Sequence, residues 1–129
     1  MDAQTRVGLV DSMVFTTSEN KLDSYRQIVL KILKESSKAP VNGKVQTVFI
    51  ADLEGDHYQI LDLGWDENGR RIFQPVVHVD LIQGKVWIQE NMTDKDFAKN
   101  FVENGIASSD IVLGFHSMLT RQYGEYAVE

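Results

Sequence analysis

The chain contains no cysteine. That excludes a disulfide framework, a thiol nucleophile and a thiolate metal centre, and it fits a reducing compartment. Positive charge is also short: 13 lysines and arginines stand against 19 aspartates and glutamates, for a net charge of -6. Duplex DNA binders draw most of their non-specific affinity from cations on phosphates, so a chain with this balance is repelled by bare DNA at long range. The cations that cluster, Lys31, Lys34 and Lys38 on a predicted helix and Arg70-Arg71 beside a turn, read as solvated surface. No apolar run reaches the roughly 20 residues that span a bilayer. The stretch from Val7 to Phe15 is broken by Asp11 and lacks the basic start and small-residue cleavage site of a secretory signal. These absences lead to the expectation of a soluble cytoplasmic protein with no membrane partner.

What is present points to one domain, as 129 residues imply. The chain is organised around Asp56 to Asn91, DHYQILDLGWDENGRRIFQPVVHVDLIQGKVWIQEN. Asn68-Gly69 suits a tight hairpin turn and Gln83-Gly84 is a weaker example, while a further reversal at Glu54-Gly55 joins an earlier strand, Val45 to Asp52. Between the turns the residues alternate. Phe73, Val77, Val79 and Leu81 are expected on one face of their strand; Val86 and Ile88 on one face with Trp87 opposite; His57, Leu61, Leu63 and Trp65 as a further set. Pro75 removes a ladder donor and belongs at a bulge or an unpaired edge.

Two helices flank this stretch. From Lys21 to Lys38, Leu22, Tyr25, Ile28, Val29, Ile32 and Leu33 recur at three and four, with Asn20 as N-cap and Pro40 and Gly43 as terminators. Thr93 and Asp96 have capping-box spacing before Phe97, Ala98, Phe101 and Val102, and Gly105-Ile106 suits a Schellman ending. Ser108 or Ser109 is expected to cap a turn at Asp110. Ile111 to Phe115 reads as either a buried strand or a buried helical turn, and Tyr123 to Val128 as a short returning strand. The expected fold is α+β: a four-stranded antiparallel meander with an N-terminal amphipathic helix and a C-terminal helix packed on it, plus a mixed C-terminal tail. Residues 1–20 are set apart as a leader, with Met13 an alternative start and Val7, Leu9 and Val10 a strand or helix within it; residues 21–129 form the domain.

No catalytic constellation stands out. The three histidines, His57, His78 and His116, lack ligand spacing along the chain, although His78 and Asp80 share a strand face. The acids Asp52, Glu54, Asp56 and Asp62 surround a turn, where solvated carboxylates are ordinary. Gly43-Lys44 and Gly84-Lys85 lack the rest of a phosphate-binding loop, and no G-x-S-x-G occurs. Trp65 and Trp87 read first as sheet cover, then as protein-interface anchors, then as stacking platforms for single-stranded nucleic acid.

The segments DSYRQIV, DHYQILDLGWD, VVHVDLIQGKVWIQEN and DIVLGFHSMLTRQYGEYAV, in that order, resemble the XisI-like family, the fdxN-element excision controlling factors of cyanobacteria. The likeness runs from about Leu22 to Val128. The leader is longer than usual for the family, and Met118-Leu119-Thr120 stands where members often carry proline. The resemblance implies a small α+β protein that serves a programmed DNA rearrangement beside a site-specific recombinase and a nuclease-like partner factor, XisH. No established catalytic residues carry over from it to this chain, and no cofactor is expected. The expectation that joins both readings is a non-enzymatic accessory subunit that binds an XisH-like protein, with Trp65, His78, Asp80, Trp87, His116, Arg121 and Tyr123 as candidate partner-binding residues and with self-association through an unpaired edge strand. Two other classes stand beside it: a metal-dependent hydrolase or nuclease using His57, His78 and His116, and a direct single-stranded nucleic-acid module using Trp65, Trp87 and Arg70-Arg71.

Overall fold

The apolar stripe from Leu22 to Leu33 folds as the long helix α1, Thr17–Ser36. Tyr25, Val29, Ile32 and Leu33 are buried, and Leu22 and Ile28 pack partly buried beside them. A computed structural model describes residues 17–38 and 44–129. The helix opens at Thr17 rather than Lys21, so Asn20, expected as its cap, lies inside it. A stripe fixes which face packs, not where the first turn begins. The expectations for the leader before Thr17, and for Pro40 and Gly43 as terminators, lie outside the described residues. Among the described residues no helix is long and apolar enough to cross a membrane.

Four strands follow: β1 Lys44–Asp52, β2 His57–Trp65, β3 Arg71–Ile82 and β4 Lys85–Asn91. Each pairs antiparallel with the next, in chain order. The sheet has five strands, however, and is mixed. After helix α2, Phe97–Glu103, the chain re-enters beside β4 as β5, Ile111–Leu113, and runs parallel to it. The expectation of four antiparallel strands fails here because β5 is only three residues long. The run is apolar enough to fill a core site, but too short to show a strand's alternation. Its parallel direction follows from the helical crossover that precedes it. Tyr123 to Val128 adds no strand, only an isolated bridge between Val112 and Ala127.

Turn chemistry partly reverses the expected ranking. Gln83 and Gly84 both take positive φ, 51° and 80°, and close β3 to β4 as a two-residue hairpin. Asn68-Gly69 does not form such a turn, since only Gly69 is left-handed. Asp66 organises a wider loop there: its Oδ1 accepts from the backbone N–H groups of Asn68 and Arg70, at 2.8 and 2.9 Å. Asp52 does the same for the first connection, accepting from the N–H groups of Glu54 and Gly55.

The helix caps also shift. Asp96, not Thr93, caps α2 by accepting from the N–H of Lys99. Thr93 instead closes a local turn with Asn91, whose Oδ1 accepts from its backbone and hydroxyl. Neither serine caps the 3-10 turn Ser108–Asp110; Ala107 precedes it with no side-chain cap. The Schellman ending is present: Gly105 takes φ 116°, Ile106 N–H donates to Phe101 O at 2.9 Å, and Ile106 is buried.

The core lies between α1, α2 and one face of the sheet, with Tyr58, Ile60, Val77, Val79, Val86, Ile88, Phe97, Phe101 and Ile111 at its centre. Two polar clamps fix α1 over it. Arg26 Nε and Nη2 donate to Asp56 at 2.7 and 3.0 Å, holding the β1–β2 connection. Tyr25 Oη donates to Asp110 at 2.6 Å, and Lys21 pairs with the same carboxylate, holding the entry to β5.

One glycine is placed by close approach. A Cβ on Gly64, at φ 152°, would lie 2.0 Å from the carbonyl oxygen of Lys44 in the adjoining strand. Gly69, at φ 76°, has no atom within 4 Å of such a Cβ. Gly69→Ala is therefore expected to cost about 1–2 kcal/mol through backbone strain alone. Gly64→Ala adds a clash with backbone and is expected to cost about 1–3 kcal/mol more. Urea unfolding of both variants tests this, and equal midpoints would contradict the geometry.

Candidate functional site

The sheet's second face carries the polar groups that the core excludes, and its composition follows from strand parity. Val76 is an extra residue in β3: Ile60 pairs with Val77, but Leu61 pairs with Pro75. Pro75 thus sits beside a bulge, as its missing donor requires. The bulge resets the alternation, so Phe73 does not join Val77, Val79 and Leu81 in the core. It turns to the outer face opposite Leu63 and is 68% exposed. The set His57, Leu61, Leu63 and Trp65 does share a face, and it is this outer one.

The same register places His57 opposite Asp80 and Gln59 opposite His78. These form a connected cluster. His57 Nδ1 donates to Asp80 Oδ1 at 2.6 Å, and His78 Nε2 donates to the same oxygen at 2.8 Å. Gln59 Nε2 lies 3.0 Å from His78 Nδ1 and donates to it when that ring is neutral with its proton on Nε2. Gln89, an extra residue where the β3–β4 register shifts, donates to Asp80 Oδ2 at 3.2 Å. The Asp80 side chain is largely shielded, while that of His57 is open to solvent.

Electrostatics follow from these contacts. The hydrogen bond to Asp80, aided by the charges of Asp80, Asp52 and Asp56, holds the His57 imidazole above the ordinary histidine range. Burial pushes the Asp80 carboxyl up, but hydrogen bonds from His57, His78 and Gln89 and the charge of His78 outweigh it and leave the carboxyl below its ordinary value.

The remaining candidates group in the tail. Ser117 caps the short helix α3, Met118–Arg121. Arg121 is a staple: its Nε donates to His116 O at 3.0 Å, its Nη1 donates to Val128 O, and its guanidinium lies 5.3 Å from the centre of the Trp87 ring. His116, Arg121 and Tyr123 line one cleft of about 560 Å³. Trp65, at the far end of β2, carries Arg71 at 5.2 Å from its ring centre. Neither tryptophan enters the core; both lie on the outer face, and each already has a guanidinium over one ring surface.

The structure therefore brings His78 and Asp80 together with His57, and Trp87 with Arg121, while His116 takes no part in the histidine cluster. Its ring packs against Phe115 at 4.5 Å. The acidic group has separate tasks: Asp52 holds a turn, Asp56 pairs with Arg26 and Asp62 accepts from Thr47. Sequence reasoning missed His57 as a partner of Asp80, and missed both glutamines. Face alternation was readable, but the cross-strand register depends on a bulge and a five-residue loop, neither of which has a strong local signal.

Comparison with known proteins agrees with this architecture. The profile of the family described as XisI protein matches residues 19–128. The crystal structure of a XisI-like protein from Anabaena variabilis is similar at TM-score 0.78 and 36% identity, over 84% of this chain and 99% of that one. The crystal structure of the fdxN element excision controlling factor XisI from the same organism is similar at TM-score 0.74 and 30% identity, over 84% and 99%. No curated protein matches the chain.

The histidine cluster has a pH signature. His57 is raised above 6.5, so the stability it supplies is complete below 6.5 and is lost as pH rises through its folded value. Asp80 is lowered from 3.8, so its contribution is present above 3.8 and is lost as pH falls through its folded value. Both act together between those limits. Proton NMR is expected to show His57 titrating above the ordinary histidine range, and Asp80→Asn to bring it down. An unchanged His57 titration in Asp80→Asn would refute the pairing.

Proposed function

This chain belongs to the XisI family, and on that premise we propose that it is a controlling factor for excision of a DNA element that acts without catalysis of its own, by holding a protein partner against the outer face of its sheet. The observation that carries this reading is the composition of that face. Phe73, Trp65 and Ile50 are 68%, 48% and 45% exposed there, on strand faces that also carry Leu61 and Leu63. Exposed apolar side chains gathered on one sheet face mark an interaction surface, and aromatic residues are the usual anchors of such contacts.

The partner in this proposal is an XisH-like protein. A net charge of -6 suits approach to a basic nucleic-acid enzyme and disfavours approach to bare DNA. The excision role itself is carried from a relative, the fdxN element excision controlling factor XisI. Self-association is a further part of the proposal: among the described residues β1 pairs with one neighbour, β2, and its other edge is where a second copy would add a strand.

Co-expression with the XisH-like protein of the same host tests the reading. A stable complex at micromolar concentration is expected. Phe73→Asp and Ile50→Asp are each expected to weaken it by about 2 kcal/mol or more, which is roughly 30-fold, with little change in thermal midpoint because both side chains are exposed. Lys31→Ala, on the solvent side of α1, serves as the control. Separate elution of the two wild-type proteins would remove the support.

A further inference from the structure

We propose that His57, His78 and Asp80 form a binding site for a first-row divalent transition metal, zinc foremost, on the outer face of the sheet. The side chains offer one ligand atom each, and those atoms lie within 4.8 Å of one another. This inference does not rest on partner binding and stands or falls separately.

The donor set selects the metal class. Two imidazoles and one carboxylate suit zinc and its neighbours; magnesium and calcium prefer all-oxygen shells. Three protein ligands with an open direction is also the usual plan of an accessible zinc site. The open direction here is on the His57 side, where the imidazole is exposed, whereas His78 and Asp80 are progressively more enclosed by the sheet.

The geometry needs little adjustment. At present the two histidines donate to one oxygen of Asp80, at 2.6 and 2.8 Å. Ligands held at about 2.0–2.1 Å from a tetrahedral ion stand roughly 3.3 Å apart. Insertion of an ion therefore opens the His57–Asp80 pair by about 0.7 Å and the His78–Asp80 pair by about 0.5 Å, within reach of small side-chain rotations. The strands set the positions: His57 and Asp80 are cross-strand partners, and His78 and Asp80 stand two apart on the same face of β3.

A supporting shell is already in place. Gln89 Nε2 donates to Asp80 Oδ2, the oxygen that the histidines leave free. Gln59 contacts His78 Nδ1. When Nε2 binds an ion, the proton on that ring moves to Nδ1. Rotation of the Gln59 amide then presents its carbonyl oxygen as acceptor, so the same side chain serves both states. Such outer partners orient ligands and tune affinity. Asp52, which pairs across from His57, adds negative charge beside the site. Binding displaces a proton from His57 when that ring is charged, so affinity is expected to fall as the solution is acidified.

The test uses the full chain, stripped with chelator and dialysed, and zinc chloride titrated in against a chromophoric competitor. One ion per chain is expected for the wild type. His57→Gln and His78→Gln are expected to weaken binding by at least about 10-fold, and His116→Gln, an imidazole outside the cluster, to leave it unchanged. His57 is exposed, so its variant reports on the site even if His78→Gln fails to fold. Cobalt(II) substitution adds a second readout: a visible absorption band is expected in the wild type and absent in His57→Gln. A wild type that takes up no zinc, or binding that survives His57→Gln undiminished, would overturn the site. Partner co-elution is read separately, so either proposal can fail alone.

Discussion

The extra residue at Val76 sets the character of the whole molecule. A strand assigns its side chains to alternate faces, so one inserted residue exchanges the two faces for everything beyond it. On one side of the bulge, Val77, Val79 and Leu81 enter the core; on the other, Phe73 and Pro75 turn outward. Without the insertion Phe73 would turn to the core side of the sheet, and the outer face would lose a largely exposed aromatic side chain. Pro75 makes the bulge inexpensive, because a residue with no N–H gives up no ladder bond when pairing is interrupted. A second register shift, at Gln89, brings a further amide to Asp80. The two irregularities of the sheet thus build its outer surface, while the regular pairing builds its core.

The helix reaches that surface through the loops. Asp56 is the only charged side chain in the buried set of the described residues, and it takes a left-handed φ of 62° without being glycine. Its carboxylate is held below its ordinary range by hydrogen bonds from Arg26, against the cost of burial. Its carbonyl accepts from the N–H of Leu81, and its Oδ1 also accepts from Tyr58, whose own hydroxyl is pushed up to about 12 by burial and by the neighbouring carboxylate. Removing Arg26 would leave a shielded carboxylate without its partner, a loss that generally exceeds what the intact pair contributes. Because Asp56 immediately precedes His57, the clamp that seats α1 on the core also aims the first histidine of the outer cluster.

How much of this was legible in the sequence depended on the length of the signal. The stripe of α1 spans three turns, and Tyr25, Val29, Ile32 and Leu33 all proved buried. The order of β1 to β4 followed from short connections. The family was legible too, from segments spread along the domain. What failed was short or cooperative. Ile111–Leu113 is too brief to reveal its period, Thr93 competed with Asp96 for the same cap, and Asn68-Gly69 was overruled by Asp66. The outer cluster was half legible: His78 with Asp80 follows from period two, but His57 with Asp80 needs a register that no single strand encodes. The role of Arg121 was hidden for the same reason, since its contacts to Trp87, His116 and Val128 exist only once the tail has folded back.

The outer face combines features that work against each other, and this constrains what can cover it. Phe73, Trp65 and Ile50 favour any apolar surface, at about 25 cal/mol per Å² removed from water. The His57–His78–Asp80 cluster lies on the same face and does the opposite. Laying an apolar surface over it would strip water from a carboxylate and from a histidine whose charged form that carboxylate favours. A covering surface that supplies hydrogen bonds to His57 avoids that cost; one that does not must discharge the histidine or leave it open. The apolar residues therefore supply adhesion that is indifferent to identity, and the polar cluster restricts the surfaces that can use it.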